Sequence, residues 1–318
     1  MISADLNYIM FDYKTSIALF RDEFVPFGEA RVSIASSPVL YGLAVYTVFN
    51  VVWDEETNRL QAFRLRDHWK RLCNSARIMG FADFAESHPY VRFESQMKDL
   101  LKRNNVQESV LVRASIFIDE LIAGTRIAGL KNSFSAYVYP MGQFYKKEGV
   151  HVCVSTWRHV EDDAIPARAK VNGLYVSNSL MKNEALLNGY DEAICLDRDG
   201  HVTEGTVANI FMVRGGVLIT PNVTSDILEG ITRDTIITLI RHLNMSLEVR
   251  AIDRSELYMA DELFFCGSSA RVTAILSVDK RPVGRGEIGP ITQKLSEAYE
   301  ALQRGIADTS LDWLTLVE

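Results

Sequence analysis

The sequence has few cysteines and no long apolar run, and each shortage argues against a class of protein. Only four cysteines occur in 318 residues, none in a Cys-x-x-Cys pair: Cys73, Cys153, Cys195 and Cys266. This spacing argues against a disulfide framework or a cysteine metal knot. No stretch reaches the roughly 18 apolar residues that suggest a membrane-spanning helix. Residues 1–12 carry two acids, no base and no apolar segment, so no secretory signal is expected there.

Basic residues are outnumbered by acidic ones. Lys and Arg total 34 against 41 Asp and Glu, which gives a formal net charge of −7. Without a long basic run, the chain is a poor candidate for binding nucleic acid or an anionic membrane. Apolar residues make up 47 % of the chain, enough for a buried core. These properties predict a cytoplasmic, reduced, globular protein without nucleic-acid or membrane partners, and its size favours an enzyme.

Several common catalytic and cofactor motifs are also missing. The sequence has no Gly-x-Ser-x-Gly nucleophile segment and no P-loop. Residues 284–289 match Gly-x-Gly-x-x-Gly by letter, but the 29 residues that follow are too few to complete a dinucleotide-binding unit. The six histidines show no metal-ligand spacing, so no metal is expected, and His68 is interpreted as structural.

Hydrophobic periodicity and turn residues predict a mixed α/β chain of the α+β type. Predicted strands cover residues 43–53, 60–65, 110–118, 150–156, 193–196, 201–203, 207–213, 217–220, 263–266 and 272–278. Predicted helices cover residues 67–79, 91–102, 177–187, 231–243 and 291–302. The glycine-containing stretch at about 119–133 is interpreted as an interdomain connection. We therefore expect a smaller domain over residues 1–133 and a larger one over residues 134–318.

Three segments of the second half carry chemistry when they are taken together. Lys170 precedes a glycine-containing turn, Glu204 ends a predicted strand, and Gly230 opens an amphipathic helix. Alone, each has an ordinary explanation as a solvated lysine, an acid at a turn or a helix cap. Together they supply an amine nucleophile, a carboxylate and a phosphate cradle of free N–H groups. Those are the parts that pyridoxal phosphate (PLP) requires.

The sequence resembles the fold-type-IV PLP aminotransferases, and the branched-chain amino-acid aminotransferases in particular. The resemblance runs along almost the whole chain, through residues 41–42, 63–72, 74–76, 112–113, 170–175, 184–185, 189–190, 204–205, 209, 228–234, 258–262, 289–290 and 313. It implies a two-domain fold, with a small N-terminal α/β domain and a larger C-terminal domain that contains a barrel-like sheet. It also implies PLP in the cleft between them and a homodimer or larger assembly.

The resemblance also implies a role for individual residues. Lys170 would form the Schiff base and shuttle the proton. The other cofactor-binding residues would be Arg71, Tyr175, Glu204, Asn209, Gly230, Ile231, Thr232 and Ser268. Glu204 would face the pyridine nitrogen and Tyr175 the phenolic oxygen, while the phosphate would lie at Arg71 and the helix start. The substrate-binding residues would be Tyr41, Tyr46, Arg113, Ser268 and Ser269.

The sequence departs from the family in its substrate pocket. Residues 46–50 replace the usual Phe-Glu-Gly-x-Arg, and residues 111–114 replace Tyr-Ile-Arg-Pro. The cofactor residues match, so the predicted function is transamination between an L-amino acid, of the branched-chain type, and 2-oxoglutarate. Alternatives are a D-amino-acid or (R)-amine transaminase, an aminodeoxychorismate lyase and a non-catalytic family member.

Overall fold

The computed structural model describes residues 16–81, 83–142, 144–306 and 312–317, and these form two sheets with helices packed against them. The strands are β1 (Ile17–Phe20), β2 (Glu23–Pro26), β3 (Ala44–Asp54), β4 (Arg59–Phe63), β5 (Val110–Ile118), β6 (Asn132–Pro140), β7 (Val150–Arg158), β8 (Glu192–Leu196), β9 (Val202–Gly205), β10 (Asn209–Arg214), β11 (Val217–Thr220), β12 (Leu247–Val249), β13 (Glu262–Gly267), β14 (Arg271–Val278), β15 (Arg281–Pro282) and β16 (Leu314–Val317).

The helices confirm the five predicted amphipathic segments, with ends that move by up to two residues. They are α1 (Ser37–Tyr41), α2 (Leu65–Ile78), α3 (Phe84–Ser87), α4 (Tyr90–Arg103), α5 (Tyr175–Leu187), α6 (Ile231–His242) and α7 (Pro290–Gln303). Within the described ranges, no helix is long and apolar enough to cross a membrane.

The first sheet is antiparallel throughout, in the order β16-β4-β3-β5-β6-β1-β2. Its central strand β3 is rich in β-branched and aromatic residues and is buried on both faces over residues 44–52. One face packs against α2 and α4, where Leu72 and Phe93 are fully buried beside Phe49 of the sheet. The opposite face is turned towards the second half of the chain.

The second sheet has the order β12-β11-β10-β13-β14-β7-β8-β9, with β15 paired to β14. It is mixed, because β7 pairs in parallel with both β14 and β8, while β13 lies antiparallel between β10 and β14. Helices α6 and α7 cover it with a cluster that includes Ile236, Ile240 and Leu295, packed on Phe211 and Phe264.

The strand pairing places the division between the two sheets later than the sequence suggests. The stretch interpreted as an interdomain connection joins β5 to β6, which are adjacent antiparallel strands of the first sheet. The expected boundary between residues 133 and 134 therefore falls inside β6, and the chain passes from the first sheet to the second only after β6 ends at Pro140. The C-terminal strand β16 also returns to the first sheet, beside β4. Local sequence patterns do not encode such long-range pairings.

Helix α2 begins at Leu65, two residues before the predicted cap at Asp67, and its N-cap is Arg64. Arg64 occupies the N-cap in a left-handed conformation, with φ 52°. Its guanidinium donates to Asp234 Oδ2 at 2.8 Å and to the Ile231 carbonyl oxygen at 3.2 Å, both in the first turn of α6. It also lies 4.4 Å from the ring centroid of Trp313. Arg64 thereby connects α2, α6 and the C-terminal segment.

Replacement of a core aromatic tests the packing of α4 on the first sheet. Phe93→Ala should lower the free energy of unfolding by about 3–5 kcal/mol, because the side chain is fully buried and its removal leaves a cavity. Val91→Ala, on the same helix but 78 % exposed, is the matched control and should change it by less than about 0.5 kcal/mol. Urea unfolding measures both, and equal losses would contradict this description of the core.

Candidate active site

A cavity lies between the two sheets and brings together most of the residues predicted from the sequence. The first sheet and α2 contribute Tyr46, Arg71 and Arg113, while the second half contributes the remaining polar side chains. Of the predicted site residues, the cavity is lined by Tyr46, Arg71, Arg113, Lys170, Tyr175, Glu204, Asn209, Gly230, Ile231, Thr232, Ser268 and Ser269.

Lys170 lies in the segment between β7 and α5, and its backbone is fixed by the first half of the chain. Its N–H donates to Ser75 Oγ of α2 at 3.1 Å, and its carbonyl oxygen accepts from the Tyr46 N–H of β3 at 3.0 Å. The following turn packs closely on the start of β3, because a Cβ on Gly42 would lie 2.7 Å from Gly173 Cα. Lys170 is therefore held at the junction of both halves.

The side-chain amine of Lys170 is prepared to act as a nucleophile. Nζ donates to the Tyr175 hydroxyl oxygen at 2.6 Å. Burial lowers the pKa of Lys170 to about 7, and the positive charge of Arg71 contributes to the same shift. A substantial fraction of this amine is therefore unprotonated near neutral pH, as a nucleophile or a general base requires. Burial raises the pKa of Tyr175 well above its ordinary value, so its hydroxyl stays protonated.

Glu204 provides the carboxylate of the cavity. It lies near the end of β9 and is only 7 % exposed. Its Oε2 accepts from Asn209 Nδ2 at 2.7 Å and from the Leu228 N–H at 3.3 Å, and Asn209 Nδ2 also donates to the Leu228 carbonyl oxygen at 2.9 Å. Asn209 lines the cavity and fixes the carboxylate of Glu204.

The start of α6 and Arg71 form a site for an anion. Gly230 is the N-cap, so the first backbone N–H groups of the helix, which include those of Ile231 and Thr232, have no partner within the helix. Gly230 must be glycine here, because a Cβ would lie 2.0 Å from Asn209 Oδ1. Arg71 Nε is buried and has no hydrogen-bond partner among the residues that the structure describes. An anion such as a phosphate would satisfy both sets of donors.

Arg71 is oriented by two polar neighbours. Its Nη2 donates to Thr47 Oγ1 at 3.0 Å, and Thr47 Oγ1 lies 2.8 Å from His68 Nδ1. Burial, and next the charge of Arg71, lower the pKa of His68 well below its ordinary value, so the ring is neutral. Its Nδ1 then accepts from the Thr47 hydroxyl. His68 therefore has a structural role here, in agreement with the interpretation from the sequence. Burial lowers the pKa of Arg71 to about 10.

The remaining side of the cavity combines aromatic rings with one cation. The Arg113 guanidinium lies 3.5 Å from the centroid of the Tyr46 ring and donates to Asn172 Oδ1 at 3.0 Å. Tyr139, which sequence analysis missed, also lines this side. Tyr139 of β6 shares an apolar cluster with Tyr46 of β3 and Leu111 of β5, and the β3–β5 and β5–β6 pairings together bring these residues close.

Two predicted residues differ from their expected placement. Tyr41 is 39 % exposed on α1 and does not line the cavity of its own chain. Ser268 lines the cavity, but its hydroxyl donates to the Val48 carbonyl oxygen at 2.9 Å and so connects β3 with the turn after β13. Sequence analysis also missed His159, which is buried behind Glu204, because a single histidine after a strand carries no motif.

Comparison with known proteins identifies the family. The family model for amino-transferase class IV matches residues 44–278. A probable branched-chain-amino-acid aminotransferase of Aquifex aeolicus is 37 % identical over 307 residues, covering 96 % of this chain and 98 % of that protein. The branched-chain-amino-acid aminotransferase of Escherichia coli K12 is 33 % identical over 309 residues, with coverage of 96 % and 98 %. The chain therefore belongs to the class IV amino-transferase family.

Solved structures agree with this assignment. A crystal structure of the branched-chain aminotransferase from Thermoproteus uzoniensis with norvaline has a TM-score of 0.90 and 37 % sequence identity, and covers 96 % of this chain and 100 % of that chain. The similarity confirms the predicted mixed α/β fold of fold-type-IV aminotransferases, with a curled half-barrel sheet, and the predicted aminotransferase class.

Replacing Arg71 tests whether its positive charge lowers the pKa of Lys170. Arg71→Met should raise the pKa of Lys170 above about 7 and slow the reaction of its amine with cyanate at pH 7 by roughly three- to tenfold, because a like charge no longer disfavours the ammonium form. Peptide mass spectrometry of the PLP-free chain measures the rate. Arg66→Met is the control, since Arg66 lies over the Tyr90 ring instead. An unchanged or faster reaction in Arg71→Met would contradict the assignment.

Proposed function

We propose that this chain is a PLP-dependent aminotransferase that transfers the amino group of L-branched-chain amino acids to 2-oxoglutarate. The observation that carries the proposal is the buried Lys170 amine, with a pKa of about 7, in one cavity with Glu204 and an anion site. Those groups match the aldehyde, the ring nitrogen and the phosphate of PLP, respectively. Relatives with branched-chain names cover nearly the whole chain.

The residues present fit the cofactor on their own chemistry. The unpartnered Arg71 Nε and the free N–H groups at the start of α6 would hold the phosphate. The Glu204 carboxylate would accept a hydrogen bond from the protonated ring nitrogen, and Tyr175 would donate to the phenolic oxygen. When bound, PLP supplies the electron sink for the charge that develops at the substrate Cα.

Lys170 has two tasks in this proposal. Its neutral Nζ would be the group that holds the cofactor covalently, and the same Nζ, when free, would serve as the base that takes the proton from the substrate Cα and as the acid that gives it back. Both tasks need an amine that is unprotonated at working pH, and burial together with Arg71 provides it. The Tyr175 hydroxyl, at 2.6 Å, keeps Nζ oriented.

The substrate side supports two kinds of ligand. Val48, Tyr139 and Phe144 give apolar surface for a branched aliphatic side chain. Arg113 provides a cation that would pair with the second carboxylate of glutamate or 2-oxoglutarate. The two ligands would use the pocket in turn, as the two halves of transamination require.

We also propose a homodimer. Helix α5 exposes Val176, Leu180 and Leu187, which lie on one face because they are four and seven residues apart, and α1 exposes Val39, Leu40 and Tyr41. A second copy of the chain would cover such surfaces. The predicted substrate role of Tyr41 depends on this interface, since Tyr41 lies outside the cavity of its own chain.

A cytoplasmic location fits the four free, buried cysteines.

The choice of amino donor is tested by absorption spectroscopy. Purified protein with PLP should bleach its yellow absorption after addition of L-leucine or L-glutamate, because the amino group passes to the cofactor. D-Alanine and an (R)-amine, added separately, should leave the spectrum unchanged. Bleaching with only D-alanine or the amine would instead favour the alternative transaminase, and pyruvate release without an added keto acid would favour the lyase.

The role of Arg113 is tested by removing its charge. Arg113→Met should raise KM for 2-oxoglutarate by roughly tenfold or more, because a charge-assisted contact is lost, and should change KM for L-leucine by less than about threefold. Steady-state kinetics with each substrate varied in turn provide the comparison. Arg126→Met is the surface control, since Arg126 is exposed in the β5–β6 loop. Equal effects on both substrates would contradict this role.

A further inference from the structure

His159 is a fully buried titratable side chain behind the cavity, and the proposed function assigns it no role. It directly follows β7, and its N–H donates to the Leu196 carbonyl oxygen of β8 at 2.8 Å. Its side chain is 0 % exposed. A buried imidazole without a structural partner for each nitrogen calls for an explanation, because unpaired buried polar atoms are costly.

The two ring nitrogens of His159 face different acceptors. Nδ1 lies 3.2 Å from the Val160 carbonyl oxygen, which can only accept, so Nδ1 carries a hydrogen. Nε2 lies 3.5 Å from Glu204 Oε1 and has no hydrogen-bond partner in the described chain. With hydrogen on Nδ1 alone, the Nε2 lone pair would point at a carboxylate oxygen. Only the doubly protonated ring presents an N–H to both acceptors at once.

The charges around the ring agree with the protonated form. Burial lowers the pKa of His159, but the Glu204 carboxylate, the Val160 carbonyl and the Asp226 carboxylate raise it more, so that it lies above 6.5. Glu204 faces the ring from β9, and Asp226 from the loop before α6. The positive charge is therefore present below the raised pKa and is lost as the pH rises through it.

Glu204 Oε1 is the carboxylate oxygen that the other contacts leave free. Asn209 and the Leu228 N–H both bind Oε2, so His159 is the neighbour that governs the second oxygen. We infer that His159 is a positioning residue, whose ring holds the Glu204 carboxylate aimed at the cofactor's pyridine nitrogen. This inference rests on the proposed function, since it assigns Glu204 to that nitrogen.

The protonation of His159 is measured directly by ring nitrogen NMR on the full chain, with and without added PLP. His159 should carry both hydrogens at pH 6.5, with a titration midpoint above that value, and Glu204→Gln should lower the midpoint below it. A ring that is neutral at pH 6.5, or a midpoint unchanged in Glu204→Gln, would overturn the inference. The NMR titration does not depend on turnover, so it tests the role of His159 even if no amino donor reacts with the protein.

Kinetics provide the second readout. His159→Gln keeps an N–H donor but removes the charge, and it should lower kcat for L-leucine about tenfold with KM changed less than about twofold. His151→Gln, on the exposed part of the same strand and 2.8 Å from Ser277 Oγ, should leave both parameters unchanged. A kcat within about twofold of the wild type, or an equal loss in His151→Gln, would overturn the inference. If His159→Gln does not fold, the NMR titration of His159 in Glu204→Gln tests the inference instead.

Discussion

The attachment of Lys170 to the first sheet is the constraint on which the rest of the site depends. Its carbonyl oxygen accepts from the Tyr46 N–H and its own N–H donates to Ser75 Oγ, so the lysine is bound to the first half of the chain although it belongs to the second. The amine is consequently buried between the halves, and burial gives it a pKa of about 7. The chemistry of the site follows from this one placement.

The cavity holds charged groups of both signs and fixes each of them. Arg71 is oriented by Thr47 and neutral His68 at the anion site, while Glu204 is held by Asn209. Because these groups are fixed before any ligand binds, little reorganisation is needed when charge develops on a bound molecule. Thr47 and His68 orient Arg71 without lining the cavity themselves, so residues that matter to the site also lie behind its wall.

Sequence reasoning recovers the parts of this structure that local patterns encode. The amphipathic helices follow from periodicity, and the order of motifs along the chain leads to Lys170, Glu204 and Gly230. The return of β16 to the first sheet and the β5–β6 pairing depend on contacts between distant residues, so the expected boundary falls inside a strand. His159 carries no motif, and only the fold, which brings the residue after β7 close to Glu204 of β9, gives it a function to propose.

The most direct test of the account is to locate the covalent attachment of PLP. Protein saturated with PLP is reduced with borohydride, digested and analysed by mass spectrometry, which reveals each modified lysine. The account predicts one phosphopyridoxyl group on Lys170, because this is the one lysine of the described residues that lines the cavity beside the anion site, and burial lowers its pKa to about 7. Modification of another lysine with Lys170 left free, or no modification at all, would contradict it.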